Sequence, residues 1–254
     1  MGRIICIGNQ KGGVGKTTTA VNLSAALGIA EKKSLLVDLD PQGHATTGMG
    51  IDKGKIEKSI YHGLLGKVSV DDLVMDTEID FLKIIPSRAE HIKSDREFIS
   101  RQEGELLLKN LIESKKKDYH YILIDCPPSL NFLTVNAFTA ADSLLIPLQC
   151  EFYALESFGQ LLKVFKFIKK RFNPNITIEG ILLTMFADYE EVSRKIAENA
   201  RNSFNGMVFE SVIPRDIDLR ESASSGKPIF LRNISSVGAR CYLELAREII
   251  EGNS

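Results

Sequence analysis

Apolar residues follow two rhythms along this chain. Short, largely apolar runs recur at Ile4-Ile5-Cys6-Ile7, Ser34–Asp40, Phe81–Pro86, Tyr121–Asp125, Ser143–Gln149, Ile178–Thr184 and Val208–Pro214. Such runs, bounded by Gly, Pro or an acid, read as strands buried on both faces. Between them lie longer stretches in which apolar residues return every three or four positions. These run from about Lys16 to Leu27, Glu103–Lys117 (Leu106, Leu107, Leu111 and Ile112 inward), Ala154–Arg171, Glu190–Phe204 and Ser235–Glu251, and they read as helices. Residues 44–80 are less regular because Gly48, Gly50, Gly54, Gly63 and Gly66 interrupt them. Short helices are expected near 57–65 and 70–75, the second opening at Ser69. Ser222–Phe230, with Gly226 and Pro228, is expected to be loop. Alternating strands and helices predict an α/β fold: one mostly parallel twisted sheet with helices on both faces. With no internal repeat, low-complexity tract or linker, residues 1–254 are expected to form a single domain.

The first run and the first helix are joined by Asn9-Gln10-Lys11-Gly12-Gly13-Val14-Gly15-Lys16-Thr17-Thr18. Strand, glycine loop, helix is the setting of a phosphate-binding loop. Gly12, Gly13 and Gly15 let backbone N–H groups converge on phosphate oxygens, and the helix adds its positive end. Lys16 can reach the β and γ phosphates, and the Thr17 hydroxyl can take one Mg²⁺ position. The general pattern G-x-x-x-x-G-K-[ST] wants glycine where Gln10 stands; a second lysine, Lys11, stands five residues before Lys16.

Two further strings end strands in carboxylates. Asp38-Leu39-Asp40-Pro41-Gln42-Gly43 closes the second run, and Asp125-Cys126-Pro127-Pro128-Ser129 closes the fourth. Ligands of open parallel sheets bind beyond the carboxyl ends of strands, so Asp38, Asp40 and Asp125 are expected beside the glycine loop. There they suit an Mg²⁺-nucleotide site.

Composition changes little. Of 254 residues 44% are hydrophobic and 26% charged, ordinary for a globular chain. The net charge of −1 supplies no global field toward nucleic acid or lipid, so any such binding needs a local patch. Lys163, Lys166 and Lys170 share one side of their helix and read as a solvated face. Cys6, Cys126, Cys150 and Cys241 are scattered; the first three lie in or beside apolar runs and read as buried free thiols, without disulfide or zinc spacing. No run has the length of a membrane span, and the N-terminus lacks a leader pattern or a myristoylation signal. A cytoplasmic protein is expected.

The string Lys11–Thr18 resembles the deviant phosphate loop of the ParA/MinD class of ATPases. With Asp38–Gly43, Asp125–Ser129, Ile213–Arg215 and Gly226-Lys227-Pro228, the chain resembles ParA/Soj-type partition ATPases almost end to end. The resemblance implies a P-loop NTPase fold, ATP and ADP as ligands with Mg²⁺, and slow hydrolysis. It implies that Lys11, Gly12, Gly13, Val14, Gly15, Lys16, Thr17 and Thr18 hold phosphate and that Pro214-Arg215 is the adenine corner. Thr17, Asp38 and Asp125 would serve the metal, Asp40 would orient the attacking water, and Lys11 would reach the nucleotide of a second subunit. Cys150–Glu156 would lie near the dimer face. Implied partners are a second copy in the ATP state, a ParB-like adaptor and duplex DNA bound without sequence preference, with nucleoid association. The short N-terminus resembles forms without a helix-turn-helix domain.

Two positions depart from the family pattern. Tyr189 stands where an arginine is frequent, and Asp218 where a basic residue is. Arg194, Lys195, Arg201, Arg220, Lys227 and Arg232 could supply a shifted basic surface or be ordinary surface charge. Three other readings remain. An orphan relative could position a protein cargo. A MinD-like membrane-cycling regulator would need a basic, aromatic C-terminal helix, whereas Tyr242–Ser254 carries an acidic polar face. An iron–sulfur carrier would need bridging cysteines, and Cys126 and Cys150 have no motif around them.

Overall fold

The computed structural model describes residues 2–92, 103–129, 131–151, 154–204 and 206–252, with the side chains of 154–157 left aside. Among the described residues eight strands form one sheet: β1 (Arg3–Ile7), β2 (Ser34–Asp38), β3 (Met75–Asp76), β4 (Leu82–Ile85), β5 (Tyr121–Asp125), β6 (Ser143–Gln149), β7 (Thr177–Phe186) and β8 (Val208–Pro214). Their spatial order is β3-β4-β2-β5-β1-β6-β7-β8, and every pairing is parallel except that of β3 with β4.

Both faces of the sheet are covered, which is why the strand runs are apolar without alternation. The period-two geometry of a strand sends Ile4 and Cys6 to one face and Ile5 and Ile7 to the other. The first face receives α3 (Ile60–Leu64), α4 (Leu107–Ile112), α5 (Phe132–Ala140), α6 (Ala154–Arg171) and α7 (Glu191–Ser203). The second receives α1 (Lys16–Ile29), α2 (His44–Gly48), α8 (Ile217–Ser224), α9 (Ile229–Arg232) and α10 (Val237–Glu251). Helix α1 is Ala-rich and buried on nearly every side, so no polar stripe marks it.

Several expectations change. The stretch 103–117 is α-helical only over Leu107–Ile112, with 3₁₀ turns on both sides. Its fully buried apolar side chains are Leu108 and Ile112, while Leu106, Leu107 and Leu111 are half-buried, because the tighter turns rotate the inward face. Near 70–75 there is a 3₁₀ turn at Asp71–Leu73 and the edge strand β3 instead of a helix. Part of the expected loop 222–230 is helical. Asp216 caps α8 by accepting from the Asp218 N–H, Leu219 and Ser222 are buried, and Pro228 leads into α9. Cys6, Cys126 and Cys150 are buried free thiols as read, Cys6 Sγ lying 3.1 Å from Cys126 Sγ. Among the described residues no helix is long and apolar enough to cross a membrane.

Gly238, in the first turn of α10, shows how tightly α10 packs on α8 within the second layer. Its N–H donates to Asp216 Oδ2 at 2.7 Å. A Cβ there would lie 2.6 Å from Leu219 Cγ and 2.9 Å from Asp216 Oδ2. Gly238→Ala is therefore expected to cost about 1–3 kcal/mol. A thermal melt should show a fall in Tm of roughly 2–4 °C per kcal/mol for a chain of this size.

Candidate nucleotide site

The register of the sheet assembles the site. Ile7 pairs with Asp125, and Asp125 pairs with Asp38. The end of β1 and two strand-terminal carboxylates thus stand side by side at the carboxyl edge, where the chain order switches direction across the sheet. From β1 the backbone enters the glycine loop and then α1. Gly13 and Gly15 have φ of 75° and 88°, a left-handed conformation that a side chain would strain. A Cβ on Gly12 or Gly13 would meet nothing within 4 Å and both residues are exposed, so the rim of the loop is open to an incoming ligand.

Asn9 fastens this loop to β6: its Nδ2 donates to Pro147 O at 2.7 Å, and its Oδ1 accepts from Lys11 N at 3.1 Å. On the other side Thr184, at the end of β7, donates its hydroxyl to Val14 O at 2.9 Å. Neither Asn9 nor Thr184 stands out in the sequence; one is a polar residue before a glycine loop, the other the last residue of an apolar run.

Lys16 is buried, and its Nζ donates to Lys11 O at 2.9 Å. Burial lowers its pKa, while Asp125, Cys126 and Asp40 oppose the shift. Asp38 is fully buried. It accepts from Thr46 N and Thr46 Oγ1, both at 2.7 Å, and from Asp40 N at 3.2 Å, and burial pushes it up to about 7. Its oxygens are thus engaged with α2 and with the turn that carries Asp40. Asp125 is also fully buried, and neither of its oxygens has a hydrogen-bond partner among the described residues. Burial, then the nearby Asp38, raise its pKa well above the carboxylate range; Thr17 faces it and opposes the rise without closing a hydrogen bond. Asp40 Oδ1 accepts from Gln42 N at 2.9 Å, and its backbone carbonyl accepts from Ser87 Oγ at 2.6 Å.

Three clustered carboxylates, one with orphaned oxygens, face a buried lysine and an open amide loop. A divalent cation bound with a polyphosphate fits this donor set: it supplies the charge the buried acids lack, and oxygen ligands suit Mg²⁺.

Pro214 and Arg215 border a cavity of about 690 Å³ that also touches Gly15, Thr18, Met185 and Tyr242. Met185 holds a left-handed φ of 51°, uncommon for a non-glycine residue. The cavity continues from the phosphate loop, so the expected adenine corner and phosphate site form one groove.

Lys11 is half-exposed and turns back onto its own chain, its Nζ lying 3.4 Å from Glu151 Oε2. Glu151 also meets Arg215 at 3.5 Å and Gln149 at 2.5 Å. It gathers the second lysine, the base corner and the end of β6, a role with no local signal in the sequence. The rest of the expected dimer-face segment, Phe152 and Tyr153 and the side chains of 154–157, lies outside the described residues. Tyr189 is 75% exposed, and Asp218 lies in the first turn of α8.

A family model described as an AAA domain matches residues 2–178. A chromosome partitioning protein ParA of Myxococcus xanthus is 46% identical over 99% of this chain and 89% of its own length. The sporulation initiation inhibitor protein Soj of Bacillus subtilis is 45% identical over 98% of both chains. A crystal structure of cobyrinic acid a,c-diamide synthase from Mycobacterium smegmatis with bound ADP and magnesium superposes with a TM-score of 0.87 at 31% identity, covering 99% of this chain and 95% of that one. Its ligands agree with the groove and carboxylate cluster described above. By near full-length similarity at this level, the chain belongs to the ParA/Soj family of partition ATPases.

Proposed function

We propose that residues 1–254 form one P-loop ATPase domain that acts as a dimerising switch, hydrolysing ATP to ADP and phosphate slowly while it segregates DNA with a ParB-like adaptor. The observation that carries this reading is the glycine loop, open at Gly12 and Gly13, facing Asp38, Asp40 and Asp125 with a second lysine at its rim. The near full-length similarity to a chromosome partitioning protein supports the cellular role.

Lys16 and the amides of Gly12–Thr18 would hold the phosphates. Magnesium would supply charge neutralisation at the phosphate oxygens, held by the Thr17 hydroxyl and, through water, by Asp125 and Asp38. The orphaned oxygens of Asp125 are the ones free for that task; Asp38 has its own engaged with Thr46 and Asp40. Asp40, fixed by Gln42 and Ser87, would accept a hydrogen bond from the attacking water and aim it at the γ-phosphorus. The bond from the γ-phosphorus to the β–γ bridging oxygen would then break, that oxygen leaving with ADP and the water's proton ending on the released phosphate or in solvent. Pro214, Arg215 and the cavity beside them would take the adenine end. Lys11 would leave Glu151 and act in the partner's site, adding positive charge as an arginine finger does.

The ATP dimer would travel on duplex DNA in the cytoplasm, associated with the nucleoid. Sizing with ATP and with ADP tests the switch: a dimer is expected with ATP alone, together with phosphate release. A monomer in saturating ATP and magnesium would sink the reading.

A further inference from the structure

Helix α6 carries an unusual charge distribution. From Ser157 to Ile178 the sequence contains Lys163, Lys166, Lys169, Lys170 and Arg171 and not one acid. Phe158, Leu161, Phe165 and Ile168 are buried against the sheet, so the helix is anchored by one face. Lys163, Lys166 and Lys170 are exposed on the other, around Phe167, which is 55% exposed. None of these three lysines has an acidic partner within ion-pair distance among the described residues. Cations elsewhere frequently do: Lys115 and Lys116 are paired with Asp71 and Asp142, Lys195 with Glu191, Lys227 with Glu78, and Arg232 with Glu221.

The surface where the family's pattern departs is different in kind. Around Tyr189 it presents Asp188, Glu190 and Glu191, and at the start of α8 Asp216 and Asp218. Glu190 and Glu191 are paired with Arg215 and Lys195, and Arg194 and Arg220 stand among them, so that surface carries mixed charge and offers little net attraction to a phosphate backbone. The α6 face attracts one. From Lys163 to Lys170 the helix rises about 10 Å. Duplex DNA presents one phosphate charge per roughly 1.7 Å of its axis, so this span faces about six charges. Contact to backbone phosphate needs only density of positive charge, in keeping with binding that ignores sequence.

We propose that the exposed basic face of α6, centred on Lys163, Lys166 and Lys170, is the surface by which this chain docks on the phosphate backbone of duplex DNA. The proposal rests on the DNA-track reading above and locates its contact.

The experiment measures binding of the ATP-loaded full chain to a random-sequence duplex across a salt series, for the wild type and two triple variants. Lys163→Glu/Lys166→Glu/Lys170→Glu is expected to weaken binding about 100-fold near 0.1 M salt and to flatten the log K against log salt slope by about 2–3. It should still dimerise and release phosphate at the wild-type rate. Lys195→Glu/Lys227→Glu/Arg232→Glu, at the paired cations, should change DNA affinity by less than about fivefold, since exposed paired charges contribute little. DNA binding that survives the α6 reversal, or that falls equally in both triples, overturns the assignment to α6. A wild type that binds no duplex at any salt overturns the track reading itself. Binding to phosphatidylglycerol vesicles in place of duplex, lost in the α6 triple, would give the face to an anionic membrane and overturn the proposal.

Discussion

Lys16→Ala is expected to remove measurable nucleotide binding. The side chain is the buried cation of the site, fixed by its bond to Lys11 O at 2.9 Å. Around it stand Asp40 and Asp125, both acting on it electrostatically, with Asp38 behind them. Without the lysine an incoming polyphosphate would meet carboxylates and no buried counter-charge. A charge-assisted hydrogen bond contributes about 1.5–3 kcal/mol. Close ionic attraction in a partly buried site adds up to about 4 kcal/mol at an effective dielectric of 20. Together these reach up to about 5.5–7 kcal/mol, which at about 1.4 kcal/mol per tenfold is a loss in affinity of up to roughly 10⁴–10⁵-fold. Calorimetry with an ATP analogue should read no heat of binding. The rise in Tm that ATP and magnesium give the wild type should vanish with it, because ligand stabilisation follows occupancy. Retained binding within tenfold would remove Lys16 from the phosphate site.

Asp40→Ala should separate binding from turnover. The carboxylate is buried, but the turn around it is held mainly through backbone: Asp40 O accepts from Ser87 Oγ at 2.6 Å and from Gly43 N at 2.9 Å. Truncation therefore leaves the frame standing. It also removes one negative charge beside the phosphate loop, so ATP affinity should hold or rise. Loss of a group that orients or deprotonates the attacking water costs about 10²–10⁴ in rate. Phosphate release should fall by that factor while sizing shows a dimer that persists with ATP. Full turnover in this variant would refute the role given to Asp40.

The sequence also showed where its own reading was weakest. Strand runs and long amphipathic helices were legible because burial on two faces or one leaves a period that survives in composition. The segments that shifted, 70–75, 103–117 and 222–230, are short, and short pieces take their form from what they pack against. Leu108 rather than Leu107 or Leu111 joined Ile112 as a fully buried residue of its helix for that reason. The helix at Ile217–Ser224 depends on Asp216, which caps it and also receives Gly238 from α10, far along the chain.

The candidate site divides in the same way. By itself the sequence determined the glycine loop, the lysines Lys11 and Lys16, and three aspartates at strand ends, because chemistry at a phosphate site constrains residue type over a few adjacent positions. Only the tertiary structure decided how these differ from one another. It placed Asp38 and Asp125 on adjacent strands in direct register, gave Asp38 the donors of Thr46, and left Asp125 with none among the described residues. It brought Glu151 to Lys11 across 140 residues of chain and Thr184 to Val14 across 170. Such pairings follow from strand order and register, which no local window of sequence encodes, since a contact between distant residues has no period to read.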